Sequence, residues 1–384
     1  MHFEFATATK IIFGPGTIKA IGDIALKTGN KALLVTGSGG ASPDRIMDIF
    51  SSSKVSWETV EVVGEPTIEL IEKAIVFARQ KNCDYVVSYG GGSVIDTGKA
   101  ISAMITNKGE LLDYLEVIGG GKSITNRAAH LIAIPTTSGT GSEVTRNAVL
   151  SAPDRKRKVS MRSPLMIAST ALVDPELTYS LPPAVTASTG MDALTQVLEP
   201  YVSKKANSFT DLYCLEGMKR AARSLLKAYT HGDDREARED MAFTSLLGGL
   251  ALANAGLGAA HGFAAAIGGM FKAPHGALCA RVLPSTVKTN ILALRERMPE
   301  SPILDRYLEI ARILAGNPSA SFEDGIEFLQ ALITRLEIPS LSEYGIKPSD
   351  IPILVENAAV ASSMQANPIQ LTKTELSQML ESAL

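Results

Sequence analysis

"DYVVSYGGGSVIDTGKAISAMI", residues 84–105, opens as an apolar strand, runs into glycines at 90–92 and continues as a segment with helical spacing. Strand, glycine and helix in that order form the opening half of a β-α-β unit. The same rhythm surrounds it. "KALLVT" (31–36) is a short apolar run that stops at Gly37. "VSWETVEVV" (55–63) alternates like a strand and stops at Gly64, "PTIELIEKAIVFARQ" (66–80) has helical spacing, and "HLIAIP" (130–135) is another buried strand. This alternation predicts a parallel sheet with helices on both faces, a Rossmann-like α/β domain whose ligands bind beyond the carboxyl ends of the strands.

From about Pro182 the strand signals stop. Long helical patterns take over at 208–229, 235–255, 302–316 and 321–337. The proline-containing "DPELTYSLPP" (174–183) reads as the hinge. The expected organisation is an α/β dinucleotide-binding domain at 1–181 and an all-α catalytic domain at 182–384. The most apolar stretch, "LLGGLALANAGLGAA" (246–260), is too short for a membrane span and reads as one buried helix.

Composition narrows the function. A net charge of -3 gives no general attraction to nucleic acid or to anionic membrane, and 5% aromatic residues provide no base-stacking platform. Cys83, Cys214 and Cys279 are odd in number and widely spaced, which suits a reducing compartment and excludes a CxxC metal motif. With no signal-like N-terminus, the expected location is cytoplasmic. The many apolar helices make a homodimer the expected assembly.

Three loops carry phosphate-binding character. Gly91, Gly92 and Ser93 lie between a strand and a helix N-terminus, where free N–H groups and the helix dipole favour an anion. Their spacing matches neither GxGxxG nor the P-loop, so a tight structural turn is the competing reading. "IPTTSGTGSEVT" (134–145) adds Thr136, Thr137 and Ser138 beyond a second strand, more hydroxyls than a structural loop requires. At the third strand end, "VTGSGGASPDR" (35–45), Gly37 and Ser38 stand where an acidic residue would grip a ribose 2′-hydroxyl, and Arg45 is near, although Asp44 beside it offsets its charge and a plain helix N-terminus with Asp44 near the cap is the competing reading. The cofactor reading is therefore NAD(P), leaning toward NADP.

The helical half holds a polar face in an apolar setting. "GMDALTQVLEPYV" (190–202) carries Asp192 and Gln196 one turn apart among core residues. His261 and His275 lie in the Gly- and Ala-rich segment 254–284. Imidazole and carboxylate from neighbouring helices form a natural set for Fe²⁺ or Zn²⁺. Gln196 can give a carbonyl oxygen or hold a metal-bound water. A hydrogen-bonded core pair is the plainer alternative.

"GGGSVIDTGKA", "IPTTSGTGSEVT", "DPELT", "MDALTQVLEPYV" and "AAHGFAAAIGGMFKAPHG" resemble the iron-containing (group III) alcohol dehydrogenase family, and the match runs in order from "FGPG" at 13–16 to "NP" at 367–368. The resemblance implies the dehydroquinate-synthase-like fold. It implies that Gly91, Gly92, Ser93, Asp96, Thr136, Thr137 and Ser138 meet the cofactor diphosphate, and that Lys158 lies on the nicotinamide side. It implies that Asp192, His261 and His275 ligate the metal. Two positions depart from the family pattern: "DALTH" is "DALTQ" here, placing Gln196 at the fourth ligand, and Ala265 replaces a histidine common four residues after the position of His261.

The resulting expectation is an oxidoreductase that moves hydride between NAD(P)(H) and a small alcohol or carbonyl compound, with a divalent metal as Lewis acid. Asp192, His261, His275 and Lys158 are its candidate catalytic residues. Three alternatives stand beside it: a metal-independent reductase of the maleylacetate reductase type, a nucleotide-binding relative with a decayed metal site, and a lyase like dehydroquinate synthase. The last would need more basic residues than "DRKRK" (154–158) and Arg281 supply.

Overall fold

A computed structural model describes residues 3–38, 41–155 and 157–384. His2, Gly39, Gly40 and Lys156, which fall within stretches discussed above, lie outside the described residues. The chain forms two compact units. One comprises residues 6–137 and 141–181, and the other Ser138–Thr140, Pro182–Leu384 and the N-terminal residues through Phe5.

The first unit is built on a six-stranded parallel sheet. Its strands are β1 (Lys10–Phe13), β2 (Lys31–Gly37), β3 (Ser56–Val62), β4 (Tyr85–Gly90) and β5 (His130–Pro135). A two-stranded antiparallel hairpin follows, made of β6 (Asn147–Ala152) and β7 (Arg157–Arg162), and β8 (Thr170–Val173) returns to the main sheet, whose order is β1-β8-β5-β4-β2-β3. Helices α1 (Ile21–Thr28), α2 (Asp44–Ser53), α3 (Ile68–Gln80) and α4 (Gly92–Thr106) cover it. Alternate residues of each strand feed different cores. Leu33, Val35, Val86 and Leu131 pack with Ile71 and Ile75 of α3 and Ile95 and Ile101 of α4. Ala32, Leu34, Tyr85 and Val87 pack with Ile21 of α1 and Ile46 and Phe50 of α2. Burial on both faces explains why β2, β4 and β5 read as unbroken apolar runs. Strand β2 leads through α2 to one side of the sheet and β4 leads through α4 to the other. The order therefore reverses between these neighbours, and their carboxyl ends carry Gly37–Ser38 and Gly91–Ser93. Such a reversal is where open α/β sheets bind ligands.

Strands β1, β6, β7 and β8 escaped the sequence reading because β1 and β8 have only four residues, and β6 and β7 mix polar with apolar side chains instead of forming an apolar run. The "FGPG" and "DPELT" motifs find their reason here. Asp174 accepts hydrogen bonds from the Gly16 and Ile18 N–H groups at 3.1 and 3.0 Å and so holds the turn after β1.

The second unit is helical, and among its described residues there is no strand. Its main elements are α5 (Pro183–Val202), α6 (Ser208–Thr230), α7 (Arg235–Ala255), α8 (Ala259–Met270) and α9 (His275–Arg297), followed by shorter helices that complete one core. The stretch 246–260, expected as a single helix, is two: α7 stops at Ala255, Gly256 takes φ 73°, and α8 departs at 98°. A φ that L side chains rarely adopt makes glycine the natural breaker. Among the described residues no single helix is long and apolar enough to cross a membrane.

At Gly276 helix α9 comes against the backbone of α5. A Cβ on Gly276 would lie 1.9 Å from the Ser188 carbonyl oxygen and 3.0 Å from Cβ of Asp192. Because the first obstacle is backbone, Gly276→Ala must push the helices apart. The expected cost is about 3 kcal/mol, read as a lower melting temperature by roughly 6–12 °C. A melting curve unchanged from the wild type would show that this approach is not tight.

Candidate active site

Three polar residues share the buried face of α5. Asp192, Gln196 and Glu199, at i, i+4 and i+7, are 2%, 3% and 3% exposed. Glu199 does two things. Its Oε1 accepts the Ala260 N–H at 2.7 Å, filling one of the open donors at the start of α8, and its Oε2 meets Nδ1 of His261 at 2.7 Å. Asn367 Oδ1 takes the adjacent Ala259 N–H at 3.1 Å. Gly258 is required here, since a Cβ would sit 2.8 Å from Glu199 Oε1.

A carboxylate oxygen only accepts, so Nδ1 of His261 carries a proton and the inward nitrogen is Nε2. That nitrogen lies 3.3 Å from Asp192 Oδ1, and Nε2 of His275 lies 3.8 Å from the same oxygen. Neither Asp192 Oδ1 nor His261 Nε2 has a hydrogen-bond partner, although both are buried. Leaving such atoms unmet costs about 1–3 kcal/mol each. A lone pair and a carboxylate oxygen at this distance suit a shared cation, and the residues present fit a divalent metal. Cys279, one turn after His275 on α9, completes the group: Asp192, His261, His275 and Cys279 each offer a donor atom, all within 4.8 Å of one another.

The electrostatics agree. Burial alone would lower the pKa of His261, but Cys279, Asp192 and Glu199 outweigh it and hold the imidazole well above its usual value. His275 is likewise raised, burial being overcome by Cys279 and Asp192. Burial would raise Asp192 and Cys279, yet the imidazoles bring both below their ordinary values. Without a cation at the centre, protons on the imidazoles balance the Asp192 carboxylate and the Cys279 thiol, and a divalent ion would take the place of those protons.

Gln196, one turn after Asp192 on α5, adds a small lowering influence on the Asp192 carboxyl, and its Oε1 is a further buried atom with no partner. Gly248 makes room for it, since a Cβ there would come within 3.0 Å of Gln196 Cβ. Ala265 is half-buried on α8, one turn beyond His261.

In the sheet unit, Gly91 precedes α4 with φ −75°, a backbone any residue adopts, and a Cβ there would meet only Thr137, at 3.4 Å. The fold itself does not demand glycine at this point, which is the signature of space kept for something else. The first turn of α4 has no acidic residue and no side-chain cap, and while Val94 and Ile95 donate to the Gly91 carbonyl, the N–H groups of Gly92 and Ser93 remain available to an anion. The hydroxyl of Thr136 is buried and without a partner, and Thr137 is half-buried; Ser138, whose hydroxyl is also buried and unpartnered, belongs to the helical unit. Gly37 and Ser38 end β2 as expected.

Three charged residues have partners within the chain. Asp96 accepts from Ser142 Oγ at 2.5 Å and from the Val149 N–H at 2.9 Å, so its carboxylate ties α4 to the loop and hairpin. Lys158 Nζ is 2.9 Å from Glu65. Arg45 is 2.7 Å from Glu176, so its charge is already matched. The sequence reading missed Glu199 and Cys279. The signals were available: Glu199 falls seven residues after Asp192, and Cys279 four after His275, both helical repeats.

Residues 8–175 match the iron-containing alcohol dehydrogenase family, and residues 186–384 match the C-terminal domain of the Fe-containing alcohol dehydrogenase family. The chain is 33% identical to a 1,3-propanediol dehydrogenase of Klebsiella pneumoniae, over 99% of this chain and 98% of that protein. It is 34% identical to an NAD-dependent methanol dehydrogenase of Bacillus methanolicus, over 97% of each. The crystal structure of a 1,3-propanediol oxidoreductase superposes with a TM-score of 0.92 at 32% identity, covering 100% of both chains. The chain belongs to the iron-containing alcohol dehydrogenase family. It is an oxidoreductase that exchanges hydride between a nicotinamide cofactor and an alcohol or its carbonyl counterpart.

Glu199→Gln would place an amide N–H against Nδ1 of His261 and favour the wrong tautomer, turning a protonated Nε2 toward Asp192. Metal affinity should fall about 10- to 100-fold with little change in melting temperature of the metal-free protein. Competition with a chromogenic chelator measures it. Affinity equal to the wild type would mean that Glu199 does not set the imidazole.

Proposed function

We propose that Asp192, His261 and His275 hold the catalytic divalent metal, Fe²⁺ or Zn²⁺, with Gln196 steadying Asp192. The observation that carries this reading is the unpartnered, buried approach of Asp192 Oδ1 to His261 Nε2 at 3.3 Å. When bound, the cation supplies Lewis acidity toward the alcohol or carbonyl oxygen, and the nicotinamide supplies or accepts the hydride.

The chain's own part is to bind and to orient. The free N–H groups at the start of α4, with Gly91, Gly92 and Ser93, receive the diphosphate, and the hydroxyls of Thr136, Thr137 and Ser138 hydrogen-bond to its oxygens. Glu199 fixes the ring of His261. Ala265 has no proton to give, and the ammonium of Lys158 is engaged by Glu65. Proton exchange with the substrate oxygen therefore falls to water or to a ribose hydroxyl. A single amide where relatives of the family pattern have imidazole leaves room for substrates that carry a hydroxyl or carboxylate beside the carbonyl. Asp96 and Lys158 enter as positioning residues, through the contacts described above. The nucleotide-binding domain spans 1–181 and the catalytic domain 182–384. We place the enzyme in the cytoplasm as a homodimer, which light scattering of the purified protein tests.

His275→Ala should lose metal and activity together while still binding cofactor, with kcat/KM down on the order of 10³-fold. Cofactor binding is read by fluorescence titration with NAD(P)H. Full activity in protein shown to be metal-free would move the chain to the metal-independent branch.

The loop after β2 admits a 2′-phosphate because Gly37 and Ser38 carry no charge. Arg45 adds less than the sequence suggests, being paired with Glu176. Gly37→Asp should reduce kcat/KM for NADP(H) relative to NAD(H) by about tenfold or more through charge repulsion. A strong wild-type preference for NAD(H), unaltered by the substitution, would place the ribose elsewhere.

A further inference from the structure

We infer that Cys279 is itself a ligand of the metal, so that the cation is held by one carboxylate, two imidazoles and one thiolate: Asp192, His261, His275 and Cys279. The inference rests on the metal-site reading above and goes beyond it by changing the chemical character of the site. A cysteine in a helical core is ordinarily a small apolar filler. Cys83 fits that description, with its thiol directed at the Ala32 carbonyl oxygen, and Cys214 sits wholly buried in the helical core. Cys279 differs in what surrounds it. It is 0% exposed, and its Sγ lies 3.7 Å from Nε2 of His275.

The distances are those of a coordination set. A tetrahedral site with metal–nitrogen and metal–oxygen bonds of about 2.0–2.1 Å and a metal–sulfur bond of about 2.3 Å has donor–donor edges of roughly 3.3–3.6 Å. The observed separations are 3.3 Å for His261 to Asp192, 3.8 Å for His275 to Asp192 and 3.7 Å for Cys279 to His275. Independently, Asp192 Oδ1 and His261 Nε2 face the same point without partners. The helix repeat explains how one element delivers two donors, since residues four apart stack on one face of α9. The position where the family pattern has imidazole is held here by Gln196, whose neutral amide is a weaker donor to a metal. The fourth strong donor is thus supplied from a different helix. On binding, the S–H bond of Cys279 breaks, its proton leaves to buffer, and the Sγ–metal bond forms with no change in oxidation state.

Cobalt(II) tests this. The purified protein is stripped with a chelator and reloaded with Co²⁺ alone. Wild type should show visible ligand-field bands together with a near-ultraviolet sulfur-to-cobalt charge-transfer band. Cys279→Ala should keep the visible bands and lose the near-ultraviolet one, with metal retention at least about tenfold weaker. Cys83→Ala and Cys214→Ala should keep both. Visible bands without charge transfer in the wild type would overturn the role of Cys279 and leave the metal site standing. Failure of the wild type to bind cobalt at all would overturn the metal site and this inference with it. X-ray absorption on the zinc-loaded wild type needs no variant. One sulfur at about 2.3 Å is expected, and a shell of nitrogen and oxygen alone would overturn the proposal.

Discussion

The grip of one carboxylate, Glu199, on two atoms of α8 is the contact from which the rest of the site follows. By accepting the Ala260 N–H and the His261 Nδ1–H together, it fixes where α8 begins, which way the ring faces and which ring nitrogen is bare. Asp192 stands two turns earlier on the same helix, so α5 carries both an unpartnered carboxylate oxygen and the support of the imidazole nitrogen that faces it. Their relative position is then set by helix geometry rather than by loops, which is how a site is held to a fraction of an ångström. Asn367, linked to Asn290 at 2.8 Å and to the Ala259 N–H, anchors the same helix start from the far end of the chain.

The glycines and alanines of this region have a mechanical purpose. Gly276 lets α9 touch the backbone of α5, Gly258 lets α8 start against Glu199, and Gly248 gives space to Gln196. Polar groups brought this close inside an apolar unit would destabilise it if left unmet. Most are met by one another, while Asp192 Oδ1 and His261 Nε2 face each other without a hydrogen bond. The sheet unit follows a parallel logic. Lys99, fully buried, donates to Ser142, Thr145 and the Asn147 carbonyl and lies 3.6 Å from Asp96, which fastens the hydroxyl-rich loop to α4.

What could be read from the sequence depended on how far each feature announced itself locally. Strands β2, β4 and β5 were plain because a strand buried on both faces is apolar throughout. Strand β1 was not, since as an edge strand it leaves Lys10 and Ile11 exposed and spans four residues. The break at Gly256 was half legible: the helical pattern over 235–255 stops just before it, yet the apolar composition of 246–260 made that stretch read as one helix. Asp192 and His261 stood out as polar residues in apolar company. Glu199 looked like any helical glutamate, and its importance lies in a partner 62 residues away. Asp96 and Lys158 were singled out by resemblance alone, and their contacts with Ser142, Val149 and Glu65 could not be read from the sequence.

The order of the sheet has a consequence for how the protein comes into being. Strand β1 pairs only with β8, joining Lys10 to Thr170 across nearly the whole unit. A ribosome adding about 5–20 residues per second takes roughly ten to thirty seconds to reach that partner. Through that interval the first strand made has nothing to pair with. Its short length and exposed lysine suit it to wait without sticking to neighbouring chains. The turn that Asp174 later clasps is also idle until then. The earliest-made strand is therefore among the last to be secured, and completion of the sheet is tied to a contact of high sequence separation, the kind that folds slowly.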